Sequence, residues 1–220
     1  MARFGVSRIT LRQALAHLVH EGLLHRRSGK GTFVAQPRIE QELQVLTGFV
    51  EDMVALGMRP SARVVSLEWV PAEPVVAQHL ELPVGRTVLR LERVRLGNDE
   101  PLLFDVSHLP PALGERVARE DLAVDPIFSL LEDKYGIPVG FADYRIFPAV
   151  ANREVAGHLE VPRGSAILAI ERISYSENGT PLDYERLYYR GDRVSYRTRL
   201  LRRPEKGAHG KVAAGEALTV

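Results

Sequence analysis

The 220-residue chain contains no cysteine, a single tryptophan and no uninterrupted run of about 20 apolar residues. The absence of cysteine excludes disulfide bonds, thiolate zinc sites and cysteine nucleophiles. Without a long apolar run or an apolar signal core near the N-terminus, the sequence predicts neither a membrane span nor a secretory leader, and a cytoplasmic location is expected. No G-x-S-x-G nucleophile motif and no Walker-type phosphate loop occur. We therefore predict no catalytic residue, no cofactor and no metal site.

Positive charge is concentrated near the N-terminus. The first 38 residues contain seven arginines and lysines against Glu21 alone, a net charge of +6, whereas the whole chain has a net charge of +1. The remaining 182 residues therefore have a net charge of −5. Such an asymmetry is typical of a basic nucleic-acid-binding segment attached to a separate acidic domain.

The segment from Ser7 to about Glu21 predicts an amphipathic helix. Ser7 can cap its N-terminus, and Gly22 lies where a left-handed C-terminal cap is expected. Apolar residues recur at spacings of three and four and predict one buried face. These residues are Leu11, Ala14, Leu15, Leu18 and Val19.

Polar and basic side chains occupy the other face of this helix near its start. Arg8, Thr10 and Arg12 fall in the first turn and a half, where helix-turn-helix proteins contact base edges and phosphates. Two strands with a glycine-rich turn at 28–31 then predict a hairpin whose tip can approach a phosphate backbone closely. From this pattern alone, an ordinary helix and hairpin without a role in DNA binding remain an alternative.

The same stretch resembles the second half of the winged helix of GntR-family bacterial transcription regulators. It matches the family pattern of Ser-Arg-x-Thr-x-Arg, a helix, Glu-Gly-Leu and then Gly-x-Gly-Thr-Phe-Val. The family's first helix and most of its second have no counterpart here, so residues 1–35 are interpreted as a partial winged helix-turn-helix. The resemblance implies a set of DNA-binding residues. They are Arg3, Ser7, Arg8, Thr10, Arg12, Arg26, Gly29, Lys30 and Gly31.

The rest of the chain contains an internal duplication. Residues 75–93 and 154–172 align at a constant offset of 79 and are identical at ten positions, and Pro101-Leu102 is repeated as Pro181-Leu182 after one inserted residue. Each copy predicts a short helix, a turn with proline and glycine, and two strands joined by a hairpin. The predicted fold is therefore α+β, with a mainly antiparallel sheet and pseudo-twofold symmetry.

Domain and element boundaries follow from composition and periodicity. Residues 36–45 are predicted as a linker, residues 46–203 as the second domain and residues 204–220 as a disordered tail. Within the second domain we expect a helix capped by Thr47 and ended by Gly57, strands at 62–70 and 142–149, a helix at 125–135 and a final strand at 194–201 that closes the sheet.

Two arginines in the first copy form a candidate anion site. Arg93 and Arg95 alternate on one strand and therefore point to the same face, with Asp105 on the partner strand. Arg172 repeats Arg93 but Ser174 replaces Arg95, so we expect only the first copy to bind an anion. A solvated sheet face with cross-strand Arg–Asp pairs is the alternative reading of this spacing.

Short motifs in this region resemble the UTRA domain, the effector-sensing module of the HutC subfamily of GntR regulators, which has a chorismate-lyase-like fold. They include Leu-Pro-x-Gly, Glu-Arg-x-Arg, Leu-Glu-Asp-Lys-Tyr-Gly and Tyr-Tyr-Arg-Gly-Asp-Arg. The resemblance implies a pocket for a phosphorylated sugar or a related anionic metabolite. The matching positions are Arg93, Arg95, Asp105, Asp183 and Tyr189.

Together these features predict a ligand-responsive transcription regulator, a repressor that binds double-stranded operator DNA as a homodimer and does not associate with membranes. Two alternatives remain at this point. One is a ligand-binding or dimerisation module that has lost DNA binding, and the other is an enzyme that shares the lyase fold.

Overall fold

A computed structural model describes residues 5–21, 24–27, 31–34 and 38–200 of the chain. The first three ranges form a helix and a two-stranded hairpin, and the last forms a larger α+β unit built on a six-stranded sheet. No helix within these ranges is long and apolar enough to cross a membrane. The predicted tail at 204–220 lies outside the described residues.

The N-terminal helix, α1, spans Arg8–His20. Ser7 caps it as predicted, because its hydroxyl oxygen accepts a hydrogen bond from the Thr10 backbone N–H at 3.1 Å. The hairpin that follows consists of antiparallel strands β1 (Leu24–Arg27) and β2 (Gly31–Val34). The sequence therefore predicted both elements correctly.

The apolar stripe of α1 is not buried among the described residues, so this part of the prediction is wrong. Leu11 and Ala14 are exposed, and Leu15, Leu18 and Val19 are only half-buried. Of the described strands, β1 is the one that α1 contacts most. A single hairpin covers too little area to bury the whole stripe of a 13-residue helix.

The larger unit follows in chain order. Its first half contains β3 (Ile39–Glu42), α2 (Phe49–Ala55), β4 (Pro60–Pro71), α3 (Pro74–His79), β5 (Thr87–Gly97), β6 (Glu100–Leu109), α4 (Pro111–Val117) and α5 (Ile127–Ser129), which continues as a π-helical turn over Leu130–Lys134. Its second half contains β7 (Val139–Val150), α6 (Arg153–His158), β8 (Ala166–Ser176), β9 (Pro181–Arg190) and β10 (Val194–Arg197).

The main sheet has the strand order β4-β5-β6-β9-β8-β7 and is antiparallel where neighbouring strands pair. Its two halves are the two copies of the duplication, because β4, α3 and β5 recur as β7, α6 and β8 with every boundary shifted by 79 residues. The left-handed backbone conformation after each short helix also repeats, since the equivalent residues Glu81 and Glu160 have φ angles of 54° and 55°. The predicted pseudo-twofold α+β architecture is confirmed, and it also includes β4 and β7, whose sequences show no obvious repeat.

Helices cover both faces of the sheet. On one face, α3 and α6 pack against it through two separate apolar clusters, one with Val76 and Val88 and one with Val155 and Phe104. On the other face, α4, α5 and the following turn pack against Leu91 at the level of β5. The middle of this second face is covered by α2, β3 and β10. It contains the polar groups described below.

The predicted role of residues 194–201 is wrong. The strand β10 does not close the main sheet but pairs in parallel with β3, with Val194 opposite Ile39. Burial alternates along β3, where Ile39 and Gln41 are buried and their neighbours are exposed. The segment predicted as a linker thus contains a strand, and Ile39 of this strand packs with Phe49 and Met53 in the larger unit.

The start of α2 also differs from the prediction. Gly48, rather than Thr47, occupies the N-cap position, and its backbone N–H donates to the Glu51 carboxylate at 3.0 Å. Thr47 instead donates its hydroxyl to Asp52 at 2.6 Å. This one-residue shift makes Phe49 the first residue of the helix, directly over the sheet.

Two glycines provide a test of the packing. A Cβ at Gly191 would lie 2.8 Å from the backbone oxygen of Ala166, whereas a Cβ at Gly157, within α6, would meet nothing within 4 Å. We expect Gly191→Ala to lower the free energy of unfolding by about 1–3 kcal/mol. Gly157→Ala should raise it by about 0.5–1 kcal/mol, because alanine has the lower entropic cost in a helix. Urea denaturation followed by circular dichroism measures both, and equal effects of the two substitutions would contradict this packing.

Candidate functional site

A row of charged side chains is buried on the face of the sheet below α2. Its first part lies on β5 and β6, where Arg93, Arg95 and Asp105 are 1%, 8% and 0% exposed. Arg93 and Arg95 share this face because side chains alternate along a strand, and Arg93 is directly opposite Asp105. The alternative of a solvated sheet face is therefore contradicted.

Asp105 accepts hydrogen bonds from both arginines. Arg93 donates Nη2 to its Oδ2 at 3.0 Å, and Arg95 donates Nε to its Oδ1 at 2.8 Å. Burial would raise the pKa of Asp105, but the two positive charges outweigh burial and hold this pKa at about 2. The carboxylate is therefore ionised under all physiological conditions, and one negative charge faces two positive charges.

The second copy contains an equivalent ion pair. Arg172 on β8 is directly opposite Glu185 on β9 and donates Nη2 to its carboxylate. Arg172 also donates Nη1 to the Tyr144 hydroxyl at 3.2 Å, and its Cζ lies 4.9 Å from the centre of the Phe128 ring. Its Nε is buried and has no hydrogen-bond partner among the described residues.

Sequence reasoning missed Glu185. The signal was present, because the hairpin between the two strands of the second copy has one extra residue and the offset therefore changes from 79 to 80. At an offset of 80, Glu185 is the counterpart of Asp105, as Arg172 at 79 is the counterpart of Arg93. The two ion pairs are therefore one pair duplicated.

Ser107 joins the two ion pairs across the centre of the sheet. Its Oγ lies 3.1 Å from Asp105 Oδ2 and 2.8 Å from Glu185 Oε1. A hydroxyl has one proton and can donate to only one of these carboxylates at a time. Polar contacts thus run continuously from Arg95 on β5 to Tyr144 on β7, over five neighbouring strands.

Asp183 on β9 lies on the same face of the sheet, opposite Ser174 of β8. It is fully buried and accepts a hydrogen bond from the Ser174 backbone N–H at 3.2 Å, while its Oδ2 and the Ser174 Oγ have no partner among the described residues. Burial, assisted by the charge of Glu185, raises the pKa of Asp183 to about 7. When Asp183 is protonated, the row contains three guanidinium groups and two carboxylates.

Phe49, the first residue of α2, stands between two clefts above this row. A cleft of 220 Å³ contains Arg93 and Arg95 in its lining, and a cleft of 310 Å³ contains Arg172 and Tyr189. Phe49 lines both of them.

The five residues predicted to bind an effector are therefore not all together. Arg93, Arg95 and Asp105 form one cluster, whereas Tyr189 lies on the other side of Phe49, with its ring edge-on to that of Tyr196 at 5.9 Å. Asp183 is not in the lining of either cleft.

The residues predicted to bind DNA are only partly described. Arg8, Thr10 and Arg12 are exposed in the first turns of α1, and the Ser7 Oγ lies 2.9 Å from the Thr10 Oγ1. Gly31 begins β2 with a φ of 119°, which favours glycine. Arg26 lies in β1. Arg3, Gly29 and Lys30 lie outside the described residues.

Two known protein families match this chain. The UTRA domain family matches residues 55–195, and the family described as bacterial regulatory proteins, gntR family, matches residues 1–34. The chain belongs to the GntR family and carries a UTRA domain. It is thus a ligand-responsive, DNA-binding transcription regulator, as the sequence motifs predicted, and the alternative of an enzyme with the lyase fold is wrong.

Relatives of this GntR regulator include the HTH-type transcriptional repressor NagR of Bacillus subtilis, which is 38% identical over 194 residues, or 88% of this chain and 79% of NagR. A probable fructoselysine utilization operon transcriptional repressor of Escherichia coli K12 is 30% identical over 88% of this chain and 79% of its own length. Among solved structures, PhnF from Mycobacterium smegmatis superposes with a TM-score of 0.72 at 26% identity, covering 92% of this chain and 88% of PhnF.

The raised pKa of Asp183 predicts a pH dependence of stability. Between pH of about 4 and about 7 the folded protein keeps this carboxyl protonated while the unfolded chain has lost the proton, so the contribution of Asp183 to stability falls as the pH rises. We expect the stability of Asp183→Asn relative to wild type to increase over this range and to level off above it. Chemical denaturation at several pH values measures the difference. The exposed control Asp133→Asn should show no comparable trend, and a difference independent of pH would contradict the assignment.

Proposed function

We propose that the UTRA domain binds a small anionic metabolite in the clefts beside Phe49. The observation that carries the proposal is the excess of buried positive charge next to these clefts. Arg93, Arg95 and Arg172 form ion pairs with only two carboxylates, Asp105 and Glu185, and burial raises the pKa of the third carboxyl of the row, Asp183, to about 7. Burying an uncompensated charge is costly, and an anion placed in the cleft would supply the missing negative charge.

Unused hydrogen-bond donors support the same ligand chemistry. Within the described residues, Arg95 donates to Asp105 through Nε and Nη2, which leaves Nη1 without a protein acceptor beside the 220 Å³ cleft. Arg172 is in the lining of the 310 Å³ cleft, and its buried Nε has no partner among the described residues. A guanidinium group with free N–H donors is suited to bind phosphate or carboxylate oxygens.

The clefts also favour a polar metabolite of modest size. The larger one approaches the lower end of the volumes usual for small-molecule sites. Its walls bring together the side chains of Tyr144, Tyr189 and Tyr196, with the Asp52 carboxyl, which can bind sugar hydroxyls. A phosphorylated sugar combines both requirements and is the first class of ligand to test, and one relative is named for fructoselysine utilization.

We further propose that the protein is a homodimeric repressor. In this proposal residues 1–35 bind operator DNA, with Arg8, Thr10 and Arg12 at the bases and phosphates and the hairpin tip at the backbone, and the UTRA domain controls this binding. Two of the relatives are named repressors. Two copies related by a two-fold axis would match a two-fold operator. Effector and operator must then change each other's affinity by the same factor.

Binding of the effector is tested by replacing one arginine at a time on β5. Arg95→Gln removes the charge and the free donor, and we expect it to weaken binding of sugar phosphates by roughly 10- to 100-fold, the range for a charge-assisted hydrogen bond. Arg90→Gln, on the opposite face of the same strand, is the matched control and should bind like wild type. Thermal shift and isothermal titration across a panel of sugar phosphates measure both variants. An unchanged response of Arg95→Gln would contradict the anion site.

DNA binding is tested by fluorescence anisotropy with duplex DNA from the protein's own promoter region, at two or more salt concentrations. Arg8→Ala and Arg12→Ala should each weaken binding and, where the arginine contacts a phosphate, reduce the salt dependence by about one counterion. Arg163→Ala, an exposed arginine in the turn before β8, is the control. Wild-type affinity in both α1 variants would exclude the first turns of α1 from the interface.

A further inference from the structure

The strand β7 forms one edge of the main sheet and has no neighbouring strand on its outer side among the described residues. It is 12 residues long, which is unusual for an edge that stays unpaired. Phe141 and Phe147 on this strand are 47% and 39% exposed, and Ile146 is also exposed. Long, exposed and partly apolar edges are the surfaces that pair with another chain.

The backbone of β7 has regularly spaced groups that point away from the sheet. Ala151, just after the strand, donates its N–H to Ser165 and accepts from Gly164, so it faces β8. Hydrogen bonding alternates along an antiparallel strand, and the register with β8 is unbroken from Phe141 to Val150. The even-numbered residues therefore direct their N–H and C=O groups outward. Pro148, which has no N–H, is one of them and so leaves the ladder with β8 intact.

The sequence of this strand is complementary to itself. It reads Phe141-Ala142-Asp143-Tyr144-Arg145-Ile146-Phe147. The sequence is symmetric about Tyr144. Phe141 corresponds to Phe147, Ala142 to Ile146, and Asp143 to the oppositely charged Arg145.

An antiparallel copy aligned with Tyr144 on the two-fold axis would place each Asp143 opposite Arg145 of the second copy. Each Phe141 would lie opposite Phe147 on the same face, and the outward groups of Ala142 would meet those of Ile146. Shifting the axis to Asp143 or to Arg145 would instead place two like charges opposite each other, which is destabilising. Of the three registers centred on Asp143, Tyr144 and Arg145, charge therefore favours the one centred on Tyr144, which is also the one that pairs Asp143 with Arg145.

The other edge strand, β4, is equally long and also exposes apolar side chains, Leu67 and Trp69, but its register is not regular. A bulge between Val64 and Ser66 interrupts its register in the middle of the strand, and bulges of this kind protect edges from pairing. In β7 the only shift lies at the beginning, between Val139 and Phe141, and leaves the central run regular.

We propose that two copies of this chain join through β7, with Tyr144 on the two-fold axis, so that their two sheets form one continuous sheet. This inference rests on the homodimer proposed above and assigns its interface. The Tyr144 side chain receives a hydrogen bond from Arg172, and Ala142 and Asp143 line the 310 Å³ cleft. The interface strand is then also a wall of the cleft in both copies.

Charge reversal tests the register directly. Asp143→Arg and Arg145→Asp, each alone, place like charges opposite each other twice per dimer, and we expect the dimer dissociation constant of the full chain to rise by about tenfold or more. The double variant Asp143→Arg/Arg145→Asp restores opposite charges and should return the dimer to near wild-type affinity. Glu68→Arg, an exposed charge reversal on β4, is the matched control and should leave the dimer unchanged. Sedimentation velocity over a concentration series measures all four variants.

Folding and function are monitored separately. Arg145 also pairs with Glu171 in its own chain at 3.2 Å, so circular dichroism accompanies each variant, and Asp143→Arg with the double variant suffices if Arg145→Asp does not fold. A monomeric wild type would overturn the proposed homodimer together with its interface. Single variants that dimerise like wild type, or a folded double variant that stays monomeric, would overturn the interface and leave the homodimer standing. The thermal shift caused by sugar phosphates reports the effector site independently of both.

Discussion

The structure depends on a duplicated ion pair buried at the centre of a sheet. Arg93 with Asp105 and Arg172 with Glu185 remove two guanidinium groups and two carboxylates from water, and Ser107 contacts a carboxylate of each pair. Such pairs contribute little net stability, because the cost of desolvation offsets the attraction, but losing one partner is severe. A core built for stability alone would place apolar residues here, as it does with Leu91 and Ile170 on the same strands and face. A polar row at this position is the arrangement expected of a face that binds an anion, as proposed above.

Divergence between the two copies explains why the two clefts differ. In the first copy, Arg95 adds a second guanidinium to the shared carboxylate, so its cleft is rich in positive charge. In the second copy Ser174 stands at the equivalent position and no longer competes for a carboxylate, while Asp183 is left with an unpartnered oxygen. The larger cleft on that side has three tyrosines in its lining, Tyr144, Tyr189 and Tyr196. The two copies share the same arrangement of strands and helices, and substitutions such as Ser174 at the position equivalent to Arg95 give the two clefts different side chains.

Features set by local sequence could be predicted, and features set by distant packing could not. Ser7 caps α1, and the period of two places Arg93 and Arg95 on one face, because both depend on neighbours in the chain. The parallel pairing of Ile39 with Val194 joins four-residue strands from opposite ends of the larger unit, and no local pattern indicates it. The prediction that the apolar stripe of α1 is buried was wrong for the same reason, since periodicity shows which face of a helix is apolar but not what covers it.

Phe49 illustrates the same limit within the site. Its position in the sequence suggested only an ordinary helix start, yet a one-residue shift of the cap from Thr47 to Gly48 places its ring between the two clefts. The sequence indicated five effector-binding residues but not that this ring separates them. Glu185, by contrast, could have been found by carrying the repeat across its one-residue insertion.

If the effector binds in the 310 Å³ cleft as proposed, the same geometry would connect it to the DNA-binding segment. Glu42, the last residue of β3, and residues 43–47, which lead from it to α2, line the 310 Å³ cleft, so a ligand bound there would contact the end of β3 and the chain directly after it. Only four residues separate Val34, the last residue of the hairpin, from Ile39, the first residue of β3. Since β3 is fixed to β10 by a parallel ladder, ordering of residues 42–47 would be transmitted to a strand that is short, paired and close in sequence to the DNA-binding hairpin. A flexible linker would lose such a signal, and a paired strand at this position would retain it.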